Sequence, residues 1–80
     1  MNVLEHDTIL PFLKERGLVS QYKKSKHLLE RGLSKQVLLK KRKPKVSGIW
    51  QFRINKKYRA FCYFEKGDFI VFKISDHQQK

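Results

Sequence analysis

Two periodicities divide the chain. Up to Gly32 the apolar residues recur at helical spacing, and from Lys35 onward they alternate with a period of two. Asn2 to Glu5 reads as a short edge strand. Asp7 or Thr8 then supplies an N-cap for a helix that tolerates Pro11 near its first turn and ends at Gly17. A second helix is expected from about Leu18 to Arg31, because Leu18, Tyr22, Ser25 and Leu29 fall on one face and Gly32 provides a stop. Residues 36–43 read as one strand, and residues 50–54, 58–64 and 69–74 as three more. The connections Asn55-Lys56-Lys57 and Glu65-Lys66-Gly67-Asp68 are short and polar, which favours antiparallel hairpins. The pattern therefore predicts an α+β fold: an N-terminal helical hairpin packed on a small twisted antiparallel sheet, in one domain spanning residues 1–80.

Strand side chains point alternately to the two faces of a sheet, so parity sorts the second half of the chain. Even positions carry Trp50, Phe52, Ile54, Ala60, Cys62, Phe64, Ile70, Phe72 and Ile74, an apolar set expected to lie under the helices. Odd positions carry Gln51, Arg53, Arg59, Phe61, Tyr63, Phe69, Val71, Lys73, Ser75 and His77. That mixture of cationic, aromatic and polar groups suits a binding face.

Charge sharpens the picture. With 19 basic and 7 acidic residues the formal net charge is +12, and an anionic partner is the leading expectation. The excess is uneven: residues 1–32 carry 6 basic and 4 acidic side chains, residues 33–80 carry 13 and 3. Within the dense run Lys40-Lys41-Arg42-Lys43-Pro44-Lys45, the residues Lys41, Arg42, Lys43 and Lys45 are read as phosphate-positioning cations without base specificity. The single cysteine, Cys62, builds neither a disulfide nor a cysteine-based zinc site, and fits a reducing compartment. His6 and His27 have no metal-ligand spacing with His77, so no metal and no cofactor is expected. The N-terminus lacks the order of a secretory signal, and no apolar run approaches the ~20 residues that cross a bilayer. A cytoplasmic protein with no membrane partner is the expectation.

Three segments in order, Ser47-Gly48-Ile49-Trp50-Gln51-Phe52-Arg53-Ile54, Tyr58-Arg59-Ala60-Phe61 and Ile70-Val71-Phe72-Lys73-Ile74-Ser75-Asp76-His77, resemble the C-terminal half of RelE/ParE proteins. The resemblance implies the toxin of a toxin–antitoxin pair, in many members a metal-independent endoribonuclease that cuts messenger RNA on the ribosome and so inhibits translation. Carried over by position, Arg53 and Arg59 would hold the phosphate and its developing charge, and His77 would be the acid or base. Gln51, Phe61, Tyr63 and Lys73 would join the basic run in binding RNA, and a cognate antitoxin would cover the cationic face. The chain departs from several ribonuclease members by ending His77-Gln78-Gln79-Lys80, with no further arginine or tyrosine, and by carrying Gln51 where some place a lysine. The catalytic set implied is thus reduced. Two other readings stay open at this point: a non-catalytic inhibitor that occupies the ribosome or DNA gyrase, and a basic nucleic-acid module unrelated to toxins.

Plainer roles stand beside these. Arg59 could cap a hairpin end or pair with Asp76. Phe61, Tyr63 and Phe69 could stack on bases or pack beneath an antitoxin segment. Trp50 and Cys62 are assigned to the core by parity.

Overall fold

A computed structural model, describing residues 1–76, places the elements in the order β1 (Val3–Glu5), α1 (Ile9–Glu15), α2 (Val19–Glu30), a first 3-10 turn (Ser34–Val37), β2 (Lys40–Lys41), a second 3-10 turn (Lys45–Ser47), β3 (Ile49–Arg53), β4 (Tyr58–Glu65) and β5 (Asp68–Asp76). His77 lies outside the described residues. Both helices end where glycine permits a left-handed residue: Gly17 has φ +65° and Gly32 φ +84°. The next amide reaches back across each end, Leu18 N–H to the Leu13 carbonyl and Leu33 N–H to that of Leu28, each at 2.9 Å. Thr8 occupies the N-cap of α1 but its side chain makes no capping bond. A backbone turn from the Ile9 N–H to the His6 carbonyl (3.1 Å) stands there instead.

The five strands form one sheet in the order β1-β5-β4-β3-β2. It is mixed, which corrects the expectation of a purely antiparallel sheet: β1 runs parallel to β5, while the other three pairings are antiparallel. No local turn joins β1 to β5, so the direction of β1 is set by the helices that follow it across the sheet and leaves no local sequence signal. A second correction concerns residues 36–43. Only Lys40 and Lys41 pair as a strand, because the chain winds through Ser34–Val37 and tucks Val37 into the core before turning back through Leu38.

The third correction is to parity. In β5 the register against β4 slips between Phe61 and Cys62: Phe61 faces Lys73, yet Cys62 faces Val71. Phe72 is the extra residue of a β-bulge, which inverts the alternation. Phe69 and Val71, expected outside, are buried with Ile74, while Ile70 and Phe72, expected inside, are only half-buried. Phe64 is 56% exposed and Trp50 is half-buried at the rim of the core. Phe52, Ile54, Ala60 and Cys62 keep the expected side and pack with Leu13, Leu18, Tyr22 and Leu29 of the helical layer.

One polar network sits inside this packing. Tyr22 Oη donates to Glu5 Oε2 at 2.6 Å and Lys26 Nζ donates to the same oxygen at 2.8 Å. Glu30 Oε2 accepts the Val3 N–H at 2.8 Å, closing the outer edge of β1. Burial, and then the bond to Glu5, hold the Tyr22 phenol well above its ordinary pKa, so it remains a donor. Among the described residues no helix is long and apolar enough to cross a membrane.

Two measurements test the packing. Phe69→Ala is expected to cost ~3–5 kcal/mol in urea unfolding, and Phe64→Ala, which loses chiefly its edge contact with Phe69, less than ~1.5 kcal/mol. Unmodified parity would give the reverse order. Burial pushes the Cys62 thiol up to about 12 from an ordinary 9.0. The unfolded chain therefore ionises there first, and stability falls as pH rises between those two values. Iodoacetamide at pH 8 should accordingly leave folded protein unalkylated and label it only in denaturant.

Candidate functional site

The open face of the sheet is organised by cross-strand rows. Pairing places Lys40, Gln51, Phe61 and Lys73 side by side across β2, β3, β4 and β5, with Arg53, Arg59 and Ser75 in the next row. Gln51 is only 7% exposed, an amide buried on an otherwise polar face. Arg42 covers it: Arg42 Nη1 donates to Gln51 Oε1 at 2.8 Å, and the guanidinium carbon lies 4.4 Å from the centroid of the Phe61 ring. A guanidinium can only donate, so Arg42 fixes the amide's orientation with one bond to its oxygen, and among the described residues the Gln51 NH₂ meets no acceptor.

Three clefts meet at Gln51. One, of about 300 Å³, is lined by Arg42, Gln51, Arg59, Phe61, Lys73, Ser75 and Asp76. A second, of about 470 Å³, is lined by Lys35, Leu38, Leu39, Lys40, Gln51 and Arg59. The third, of about 300 Å³, runs along Lys40, Lys41, Arg42 and Lys43. Among the described residues they gather seven basic side chains and one carboxylate, that of Asp76. The ion pairs among the described residues are Arg16–Glu15 and Lys26–Glu5, so a carboxylate within ion-pair distance neutralises none of the seven. An anionic ligand would meet an uncompensated positive field here.

Arg59 is common to two of the clefts, and its position follows from the β3–β4 turn. Asn55 Oδ1 accepts the N–H groups of Lys57 and Tyr58, both at 2.8 Å, and Asn55 Nδ2 donates to Gln21 Oε1 of α2 at 2.7 Å. The ordered turn presents the Asn55 carbonyl to Arg59 Nη1 at 2.6 Å, with the Tyr58 and Lys56 carbonyls at 3.2 and 3.3 Å. The hairpin-capping role is thus realised, and it engages one terminal nitrogen of the guanidinium. Burial, and then repulsion from Arg53, lower the Arg59 pKa. Both effects disfavour a lone cation and are relieved by an anion.

The site residues read from the sequence are partly assembled. Lys41, Arg42, Lys43, Gln51, Arg59, Phe61 and Lys73 line the three clefts. Lys41 also places its ammonium 5.6 Å from the Trp50 ring, beside an apolar groove with Met1, Phe64 and Phe69. Arg53 pairs with Arg59 along the backbone but lines a different cleft, beside Gln21, Lys24, Leu28 and Gln36. Lys45 is exposed in the second 3-10 turn and lines none of these clefts. Tyr63 belongs to an aromatic stripe: its hydroxyl shares a 3.1 Å hydrogen bond with His6 Nε2, and its ring lies 5.8 Å from that of Phe72. Phe69, placed on the binding face by parity, is instead buried in the core and borders the apolar groove beside Trp50.

Sequence reasoning missed Lys35, Leu38 and His6 as neighbours of this face. Lys35 and Leu38 lie in the segment that winds instead of extending, and His6 reaches the face through the parallel pairing of β1. Leu38 is unusual in two ways, being 52% exposed and left-handed at φ +52°, ψ +44°. That conformation costs a residue other than glycine ~1–2 kcal/mol. A comparison with protein-family models and with curated proteins finds no match.

If the Asn55 turn carries Arg59, Asn55→Ala should lower stability by ~1–2 kcal/mol in urea melts and change the exchange rate of the Arg59 guanidinium protons by NMR. Gln21→Ala, which removes an exposed partner, should cost less than ~1 kcal/mol.

Proposed function

We propose that this chain is an RNA-directed toxin of the RelE/ParE kind, which grips the RNA backbone at the clefts around Gln51 and cleaves messenger RNA on the ribosome without a metal. The observation that carries this proposal is the convergence of seven cations, none within ion-pair distance of a carboxylate among the described residues, on a face that also offers aromatic rings and the Asp76 carboxylate. A phosphodiester supplies the anion that Arg59 lacks. The remaining guanidinium N–H groups of Arg59 and the Lys73 ammonium would take up charge as the phosphorus becomes five-coordinate. The 2′-oxygen attacks phosphorus, its proton passes to the Asp76 carboxylate, and the bond to the 5′-oxygen breaks. His77 is proposed from its sequence position as the donor to that leaving oxygen. The products are a 2′,3′-cyclic phosphate and a free 5′-hydroxyl.

Arg42, stacked on Phe61 and bonded to Gln51, serves to hold backbone phosphate in register with this centre. A cognate antitoxin rich in acidic side chains would cover the same clefts and remove the excess field. A second reading, occupancy of the ribosome or of gyrase with no bond broken, is favoured by one observation: Arg59 already spends one nitrogen on hairpin carbonyls.

Mapping messenger-RNA 5′ ends after brief induction separates the two. New ends in coding regions, abolished in a Lys40→Ala/Lys73→Ala double variant, are the expected result; both lysines are exposed, so folding is spared. The double variant should also reduce the salt slope of single-stranded RNA binding by about 1.4, at ~0.7 for each phosphate no longer neutralised. Growth arrest without cut ends would establish occupancy instead, and absence of both would leave a basic nucleic-acid module.

A further inference from the structure

The 470 Å³ cleft differs from its two neighbours in being lined by two aliphatic side chains. Leu38 and Leu39 line it together with Gln51, Arg59, Lys35 and Lys40. A phosphate site requires no such lining, and water-exposed cations alone would serve it. The aliphatic lining is also maintained against local preference, since Leu38 is exposed, apolar and left-handed at once. Glycine or asparagine would satisfy the backbone there, and a polar side chain would satisfy the solvent. Conflicts of this kind between local propensity and the observed residue gather at binding sites.

We infer that this cleft is a pocket for one unstacked nucleotide of single-stranded RNA, with the base lying against Leu38 and Leu39 and its phosphate held by Lys35, Lys40 and Arg59. The inference rests on the RNA-directed reading above and adds a base pocket to the phosphate clefts. Gln51 fits the role, because Arg42 fixes its amide through the oxygen and its NH₂, bonded to no acceptor among the described residues, can meet one on a base edge. A base in the pocket would be drawn out of the stack beside Arg59, which is where a backbone must bend for its 2′-oxygen to approach the adjacent phosphorus in line. The left-handed Leu38 supplies the turn that brings the side chain over the cleft between the first 3-10 turn and β2.

The test is titration of the full chain with adenosine 5′-monophosphate, ribose 5-phosphate and inorganic phosphate, followed by the methyl resonances of Leu38 and Leu39. Adenosine 5′-monophosphate is expected to shift both methyl groups and to bind at least fivefold more tightly than ribose 5-phosphate. Leu38→Gly and Leu38→Asn both suit the left-handed backbone, so their melting temperatures should equal or exceed that of the parent. They should nevertheless lose the fivefold preference while binding inorganic phosphate unchanged. Equal affinity for the nucleotide and the sugar phosphate, or a preference that survives both substitutions, overturns the pocket. A parallel titration with a single-stranded RNA oligonucleotide at low salt separates the two levels: salt-sensitive RNA binding with no nucleotide preference removes the pocket alone, whereas absence of RNA binding removes the RNA-directed reading beneath it.

Discussion

The extra residue at Phe72 is the constraint through which both faces of this sheet take their character. A nine-residue strand that alternated without interruption would send Phe69 and Val71 to the side opposite Ile74. By bulging, β5 buries all three beneath the helices and releases Ile70 and Phe72 to the other side. The core thereby receives a continuous apolar floor beneath Leu13, Tyr22 and Leu29. The open face receives Phe72, whose ring extends the stripe of His6 and Tyr63. Lys73 and Ser75 follow immediately after the bulge, opposite Phe61 and Arg59, so the same irregularity sets the cationic row in register.

The charged face combines structural and ligand-facing roles in single side chains. Arg59 closes the β3–β4 turn through backbone carbonyls and also lines two clefts. Arg42 screens the buried Gln51 amide and stacks on Phe61 while facing solvent. Such anchoring limits the rotamer entropy these long side chains lose when an anion arrives. It also concentrates like charge, since Lys35, Lys40 and Arg59 share one cleft and Arg42, Arg59 and Lys73 another. A face of this kind gains most from a polyanion, because several repulsions are relieved together and bound counterions are released.

Support for this face comes from the opposite edge of the sheet and from beneath it. The Glu5–Tyr22–Lys26 network ties β1 to α2, and β1 carries His6 to Tyr63. At the other end, the Asn55–Gln21 bond ties the turn under Arg59 to the same helix. Helix α2 thus braces both flanks of the open face from behind, leaving the clefts between them.

The sequence by itself determined the two helices and their glycine stops, the β3–β4 and β4–β5 hairpins, the cationic bias of residues 33–80, and the outward parity of Gln51, Arg59 and Phe61. These depend on local rules: helical spacing, the left-handed freedom of Gly17 and Gly32, and turn residues such as Asn55 and Gly67. The Lys66–Gly67 pair, both at positive φ, closes β4 onto β5 in the way a two-residue hairpin requires. Only the tertiary structure decided the direction of β1, the winding of Ser34–Val37, the bulge at Phe72 and the separation of Arg53 from the clefts at Gln51. Each of these answers to partners distant in sequence: β1 pairs with a strand more than sixty residues away, Val37 turns in to meet the core, and β5 bulges to match two apolar layers at once. Alternation along a strand states which residues share a face, but a single inserted residue reverses that statement, and only packing against the helices determines where the insertion falls.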